Sequence, residues 1–496
     1  MVNARCSGIL LHPTSLPGPG GIGSLGAEAR RFVDFLADAG QSLWQILPLG
    51  PPGCGNSPYS CFSAFAGNPL LIDLDDLIAH GDLSRDDLER DFPAGRVDFE
   101  GVSGYKLDLL HRAAERFFSV GETPRMHAFW QFCDSTFWLH DYALFMAAKG
   151  HYGGKAWNRW PERLKRRDPG ACSECCRLLG SEVGAQKYMQ WQFFRQWHGV
   201  RSYANSRGIR IIGDAPIFVA MDSADVWCNQ QIFRLDAGGH PTVVAGVPPD
   251  YFSKSGQRWG NPLYDWGRLA EDDYGWWVAR VRNDLSLYDM VRIDHFRGFE
   301  AYWEIPAHER TAVRGSWVKG PGEGLFHALR RQIGDLPIVA EDLGIITREV
   351  EMLRDGLALP GMKVLQFAFD GGPENAYLPH NHCHNAVVYS GTHDNDTTRG
   401  WFDSLGGEKQ QRVCDYLRST PEDVVDVFIR TALGSVADLA VIPVQDLLQL
   451  DGSARMNVPG VAEGNWGWRL EGGELTPELG QRLRALTEMY NRLGQQ

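Results

Sequence analysis

Four acidic residues stand where short apolar runs end. Asp214 follows Arg210-Ile-Ile-Gly, Asp294 follows Met290-Val-Arg-Ile, and Glu341 follows Pro337-Ile-Val-Ala. Asp394 comes just after Ala386-Val-Val-Tyr-Ser-Gly391. A lone Asp at a strand end is weak information, because it also serves as a helix cap. Four acids at four such ends form a set that can do chemistry. Paired carboxylates are what glycosidic bond cleavage needs: one attacks or steadies the anomeric carbon, and the other, protonated, donates to the leaving oxygen.

Asp294 is the strongest individual candidate. In Val291-Arg-Ile-Asp294, strand alternation puts Val291 and Ile293 on one face and Arg292 and Asp294 on the other. The cation is expected to hold the carboxylate ionised, which suits a nucleophile; a purely structural salt bridge is the plainer alternative. Glu341 and Asp342 point to opposite faces if the strand continues, so one faces the mouth while the other braces a loop. A carboxyl near a like charge in a partly apolar pocket has its pKa raised, as a general acid requires. Ser390-Gly-Thr-His-Asp-Asn-Asp-Thr-Thr398 is too polar for packing to explain directly after an apolar strand. It offers donors and acceptors for sugar hydroxyls, although His393 alone could equally be structural.

The elements that must position these acids are eight β-branched runs. They are Gly8–His12, Leu43–Pro48, Arg210–Ala215, Met290–Asp294, Pro337–Asp342, Lys363–Phe369, Ala386–Gly391 and Leu439–Asp446. Helical patterns separate them, which implies parallel strands joined by right-handed crossovers. Eight such units predict an α/β fold, a (β/α)8 TIM barrel spanning 1–496, with active-site residues at the C-terminal ends of its strands. A large doubly wound sheet is the alternative. Between the second and third runs, 72–205 reads as a mostly helical insertion. After the third, 220–288 reads as a loop-rich insertion whose Gly/Pro/Trp-rich stretch 245–260 is a candidate lid, against a passive surface loop. No internal repeat or low-complexity tract is present.

Composition narrows the class. A net charge of −13 argues against nucleic acid and against anionic membrane surfaces. No apolar stretch is long enough to span a bilayer. Met1-Val-Asn-Ala-Arg5 leads into a Gly/Pro-rich segment, so no signal peptide is expected. Ten cysteines scattered along 496 residues fit a reduced, cytoplasmic protein better than a disulfide scaffold. The cluster Cys172, Cys175 and Cys176 lacks an evident fourth zinc ligand. The group His380, His382, Cys383 and His384 reads as a polar loop. Seventeen Trp suit a core, and flat aromatic faces also suit a sugar cleft.

At this point the motifs resemble those of the amylomaltases, the 4-α-glucanotransferases or disproportionating enzymes of the α-amylase superfamily. The likeness runs through Gly8–Pro17, Trp44–Gly50, Ser57-Pro-Tyr-Ser60, Gly213-Asp-Ala-Pro-Ile-Phe-Val219 and Trp259-Gly-Asn-Pro-Leu-Tyr264. It continues through Arg292-Ile-Asp-His-Phe-Arg-Gly298, Ala340-Glu-Asp-Leu-Gly344, Gly391–Thr397, Arg455-Met-Asn-Val-Pro-Gly460 and Asn465-Trp-Gly-Trp-Arg469. The resemblance implies a retaining mechanism with Asp294 as nucleophile, Glu341 as acid/base and Asp394 as the third carboxylate, which stabilises the transition state. It makes Arg292 the partner of the nucleophile. It places Asp214, His393 and Asn395 on the donor sugar, and Ser57, Tyr59 and Trp259 on substrate, with Trp259 on the lid. It implies no metal and no organic cofactor. The expected substrates are α-1,4-glucans and malto-oligosaccharides.

Two other functions fit parts of this pattern. A retaining α-glucan hydrolase would use the same carboxylates, with water in place of the acceptor sugar. A non-catalytic glucan-binding protein would keep aromatics but need not keep Asp294, Glu341 and Asp394 together.

Overall fold

The computed structural model describes residues 5–88, 90–249 and 253–494. Met1–Ala4, on which the reading of the leader partly rests, and Asp250–Phe252 of the lid stretch lie outside the described residues. Eight parallel strands form the centre: Cys6–Leu10, Leu43–Gln45, Arg210–Pro216, Met290–Asp294, Ile338–Ala340, Gly361–Val364, Ala386–Tyr389 and Leu439–Pro443. These are called here the first to eighth strands. Hydrogen-bonded neighbours run sixth, seventh, eighth, first, second, third, fourth, fifth. The order never reverses direction, and the eighth strand pairs with the first, Cys6 opposite Leu439. A doubly wound sheet would reverse at a switch point, so this is the barrel. The seam between the fifth and sixth strands is bridged differently. Ala340 N donates to Pro360 O (2.9 Å), and Met362 N donates to the Asp342 side chain (2.7 Å).

Strand alternation divides the core in two. Leu43, Ile212, Met290, Val339, Val387 and Val441 pack together in the lumen. Their neighbours Trp44, Ile211, Val291, Ile338, Val388 and Ala440 pack outward with the surrounding helices. Both faces of each strand are therefore apolar, as expected where helices cover a parallel sheet. Arg292 shares the face of Met290 and so enters the lumen, while Val291 and Ile293 face the helices.

Between the second and third strands come several helices, including Phe99–Ser119, Pro124–Ser135, Leu139–His151 and Gly180–Ser206. Their starts are written locally. Asp98 accepts from Gly101 N, and Thr123 accepts from Met126 N just ahead of Pro124. The last helix leads straight into the third strand, and its Trp197 donates to Leu287 O (3.0 Å). Its C-terminal half thus covers the barrel itself.

The stretch 220–288 is more regular than its composition suggests. Val243–Val247 and Gln257–Pro262, the flanks of the lid stretch, are strands of a four-stranded antiparallel sheet with Ala301–Pro306 and Ser316–Lys319. Gly275–Leu287 is a helix. The loop-rich reading is therefore corrected. Gly and Pro mask the alternation of these short strands, and the central partner of Val243–Val247 lies about sixty residues further on, Val244 facing Ile305. Among the described residues no helix is long and apolar enough to cross a membrane.

Candidate active site

The third and fourth strands set the floor of the site. Their register puts Asp214 beside Arg292 and Pro216 beside Asp294. Arg292 is 3% exposed, and its guanidinium is divided between two carboxylates: Nη1 to Asp214 Oδ2 at 2.6 Å, Nη2 to Asp294 Oδ1 at 2.9 Å. Nε points at Met362 Sδ (3.4 Å). The flanking carboxylates push the Arg292 pKa well above its ordinary value against the cost of burial. Asp214 is fully covered; its Oδ2 also accepts from Tyr59 OH (2.8 Å), and its Oδ1 has no hydrogen-bond partner among the described residues.

Asp294 lies above this pair with 30% of its side chain open to the cleft. Its pKa is raised, first by desolvation; Arg292 pulls it down, and Asp214 and Asp394 push it up. The expectation that Arg292 simply holds Asp294 ionised is thus half of the account, because one cation serves two carboxylates in a desolvated setting. Glu341 follows the fifth strand and turns inward. Its Oε2 accepts from His295 N (2.7 Å) and its Oε1 from Leu343 N (2.8 Å). Despite these amides, burial and then the charge of Asp294 push its pKa up to about 8. Both acids are raised by burial, and the guanidinium in contact with Asp294 favours that residue's charged form. Asp342 points the other way, pairing with Arg354 and receiving Met362 N across the seam.

His295 adopts a left-handed backbone (φ 54°, ψ 47°), which aims its amide at Glu341. Its ring meets Trp259 edge to face at 4.8 Å. Trp259 is 39% exposed on the strand Gln257–Pro262, so the lid stretch touches the residue next to Asp294.

The loop after the seventh strand brings Asp394. Asn395 Oδ1 accepts from Thr392 N (2.9 Å) and Thr392 Oγ1 (2.8 Å), closing a turn around His393 and Asp394. His393 is buried and stacks on Tyr59 with ring centres 5.1 Å apart. Trp466 flanks both rings. Ser57 Oγ accepts from Tyr59 N (3.2 Å), which orders the approach to that stack. Asp394 has 47% of its side chain exposed and faces the same opening. A small recess beside it is lined by His12, His393, Asn395, Asp396, Arg455 and Met456 among others.

The ten residues named from the sequence therefore converge, Ser57 through Tyr59, Trp259 through His295 and Asn395 through its turn. Sequence reasoning had not singled out His295, Arg455, Asn457 or Trp466. The last three lie in motifs near the C-terminus, and nothing local announces that these fold over Asp394. Among the described residues no group of three or more His, Cys, Asp or Glu could hold a metal ion. Cys172, Cys175 and Cys176 lie on the helix Pro169–Leu178, and His382 is engaged by Ser435 Oγ and Tyr377 O.

A family model described as 4-alpha-glucanotransferase matches residues 11–476. The chain belongs to the 4-alpha-glucanotransferase family. A Thermus thermophilus 4-alpha-glucanotransferase is 53% identical, with 99% of each chain covered. One from Synechocystis sp. is 50% identical over 99% of each chain. An amylomaltase from Streptococcus agalactiae, solved in complex with acarbose, superposes with a TM-score of 0.96 at 40% identity, covering 98% of this chain and 99% of that one. Membership of the family makes the chain a glycosyl-transferring enzyme on a (β/α)8 barrel.

Proposed function

We propose that this chain moves a segment of an α-1,4-glucan to a glucose or oligosaccharide acceptor by retaining double displacement, with Asp294 as nucleophile and Glu341 as acid/base. One observation carries the assignment: Arg292 sits on Asp294, while burial and the charge of Asp294 hold Glu341 protonated up to about pH 8. The contact cation favours the charged form of Asp294 and burial favours the protonated form of Glu341, which is the division of labour that glycoside cleavage needs.

Glu341 donates its proton to the glycosidic oxygen as Asp294 attacks the anomeric carbon. The reducing-end fragment leaves and a glycosyl ester forms on Asp294. An acceptor hydroxyl then loses its proton to Glu341 and displaces Asp294, forming a new α-1,4 bond. Asp394, His393 and Asn395 hold the donor sugar, Asp214 acts from beneath through Arg292 and Tyr59, and Tyr59, Ser57 and Trp259 contact the chain. The lid stretch carrying Trp259 keeps water from the ester while the acceptor enters. No metal or organic cofactor takes part, and the enzyme works in the cytoplasm on malto-oligosaccharides.

Incubation with maltotriose tests this reading. Transfer yields glucose with a ladder of longer oligosaccharides. Glucose and maltose without a ladder would sink it in favour of hydrolysis.

A further inference from the structure

Asp294 ends a strand, and both oxygens of Glu341 are held by amides. Asp394 has weaker support within its own loop, where His393 Nε2 lies 3.5 Å from Oδ1. It lies five residues beyond the seventh strand, half exposed, with Thr392 Oγ1 accepting its amide at 3.3 Å. Its side chain is fixed from elsewhere in the sequence. Asn457 Nδ2 donates to Asp394 Oδ1 at 2.6 Å. Arg455 Nη2 donates to the Asp394 carbonyl at 2.7 Å, and Arg455 Nε donates to the Asn457 carbonyl at 2.7 Å. Arg455 thereby ties Asn457 and Asp394 into one unit across about sixty residues of chain. Between them, Met456 O accepts from Trp466 N (2.7 Å), and Trp466 borders the Tyr59–His393 stack.

We propose that Asn457, braced by Arg455, is a positioning residue for Asp394: it engages Oδ1 and turns the remaining oxygen toward the sugar. This rests on the reading of Asp394 as the third carboxylate. A neutral amide suits the task. It donates to the carboxylate without adding a positive charge of its own beside the developing positive charge of the transition state. The segment after the eighth strand thus acts on the reaction through Asp394.

Asn457→Asp gives the sharpest test, because shape is kept and only charge and protonation change. At low pH the new carboxyl is protonated and donates to Asp394 Oδ1, so transfer from maltotriose runs close to the parent rate. As pH rises the proton is lost, two carboxylates face each other, and kcat falls tenfold or more at neutral pH. The basic limb of the profile moves down by at least one pH unit. Asn457→Ala lowers kcat about tenfold across the whole range, more than it changes KM, with the melting temperature held within about 2 °C. A pH profile for Asn457→Asp superimposable on the parent would overturn the proposal. So would a loss of rate in Asn457→Ala that only tracks lost folded protein. Asp394→Asn in the same assay separates the two layers. If it keeps full activity, the reading of the site fails; if it is inactive while both Asn457 variants behave as the parent, only the positioning role fails.

Discussion

Two arginines are buried at opposite ends of the barrel and are compensated by opposite means. At the mouth, Arg292 is matched by the carboxylates Asp214 and Asp294. At the floor, Arg492 is fully buried and spends all five donors on backbone carbonyls of Leu433, Cys6, Asp438, Ser435 and Ala437. The consequence appears in their acidity. Arg292 is driven well above its ordinary value, whereas burial, followed by the charge of Arg5, lowers Arg492 to about 10. Dipoles satisfy hydrogen bonds without offering a counter-charge, so the floor gains rigidity and no reactive group. Carboxylates offer a counter-charge and are themselves reactive, so the mouth gains a site in which the cation favours the charged form of Asp294 while burial raises Glu341. A buried cation is thus a stability device or a catalytic one according to what surrounds it.

The largest effect should come from the mouth. Asp294→Asn should cut transfer by roughly 10⁴-fold or more, as removal of a nucleophile does, while leaving the melting temperature unchanged or raised. Residual activity above a hundredth of the parent would break the assignment of the two ends. The arginines come next. Arg292→Met strands two acids, so both stability and kcat should fall, the former by about 3–5 kcal/mol. Arg492→Met should lose about 3 kcal/mol or more through its orphaned carbonyls, yet keep kcat per folded molecule within about twofold. Denaturation curves paired with active-site-normalised rates distinguish them. A large kcat loss in Arg492→Met would erase the contrast.

Acidity supplies a third prediction. Glu341 is held up at about 8, so its transferable proton is present below that pH and lost above it. The kcat/KM for maltotriose should therefore fall as pH rises through about 8, approaching tenfold per unit beyond it. A rate that stays flat to pH 10 would contradict the raised Glu341. The smallest effect belongs to Trp259→Ala, with KM raised a few-fold and a larger share of free reducing ends among the products, since the lid strand loses its contact with His295. An unchanged transfer-to-hydrolysis ratio would remove the lid from the account.

The mouth was far more legible than the floor. Eight apolar runs ending in polar residues gave the barrel, because each strand is apolar on both faces and therefore contiguous in sequence. Alternation in Val291–Asp294 put Arg292 and Asp294 on one face, and the Glu341/Asp342 pair split as alternation requires. Contacts between remote segments stayed hidden. Asn457 meets Asp394 across 63 residues, Arg492 resembles any arginine following an amphipathic helix, and the antiparallel sheet around Trp259 joins segments that look like Gly/Pro-rich loops. The sharing of Arg292 with Asp214, which decides the electrostatics of Asp294, likewise depends on strand register and not on spacing.

The floor clamp also imposes an order in time. Arg492 grips the Cys6 carbonyl across 486 residues, and the first strand takes the eighth as its neighbour, Cys6 opposite Leu439. At ~5–20 residues per second of synthesis, the outer edge of the first strand waits roughly half a minute to a minute and a half for its clamp. Through that interval an apolar strand edge emerges from the ribosome unpaired on one side. The site is built near the mouth, but the hazard of making this enzyme lies at the opposite rim, in the nascent chain.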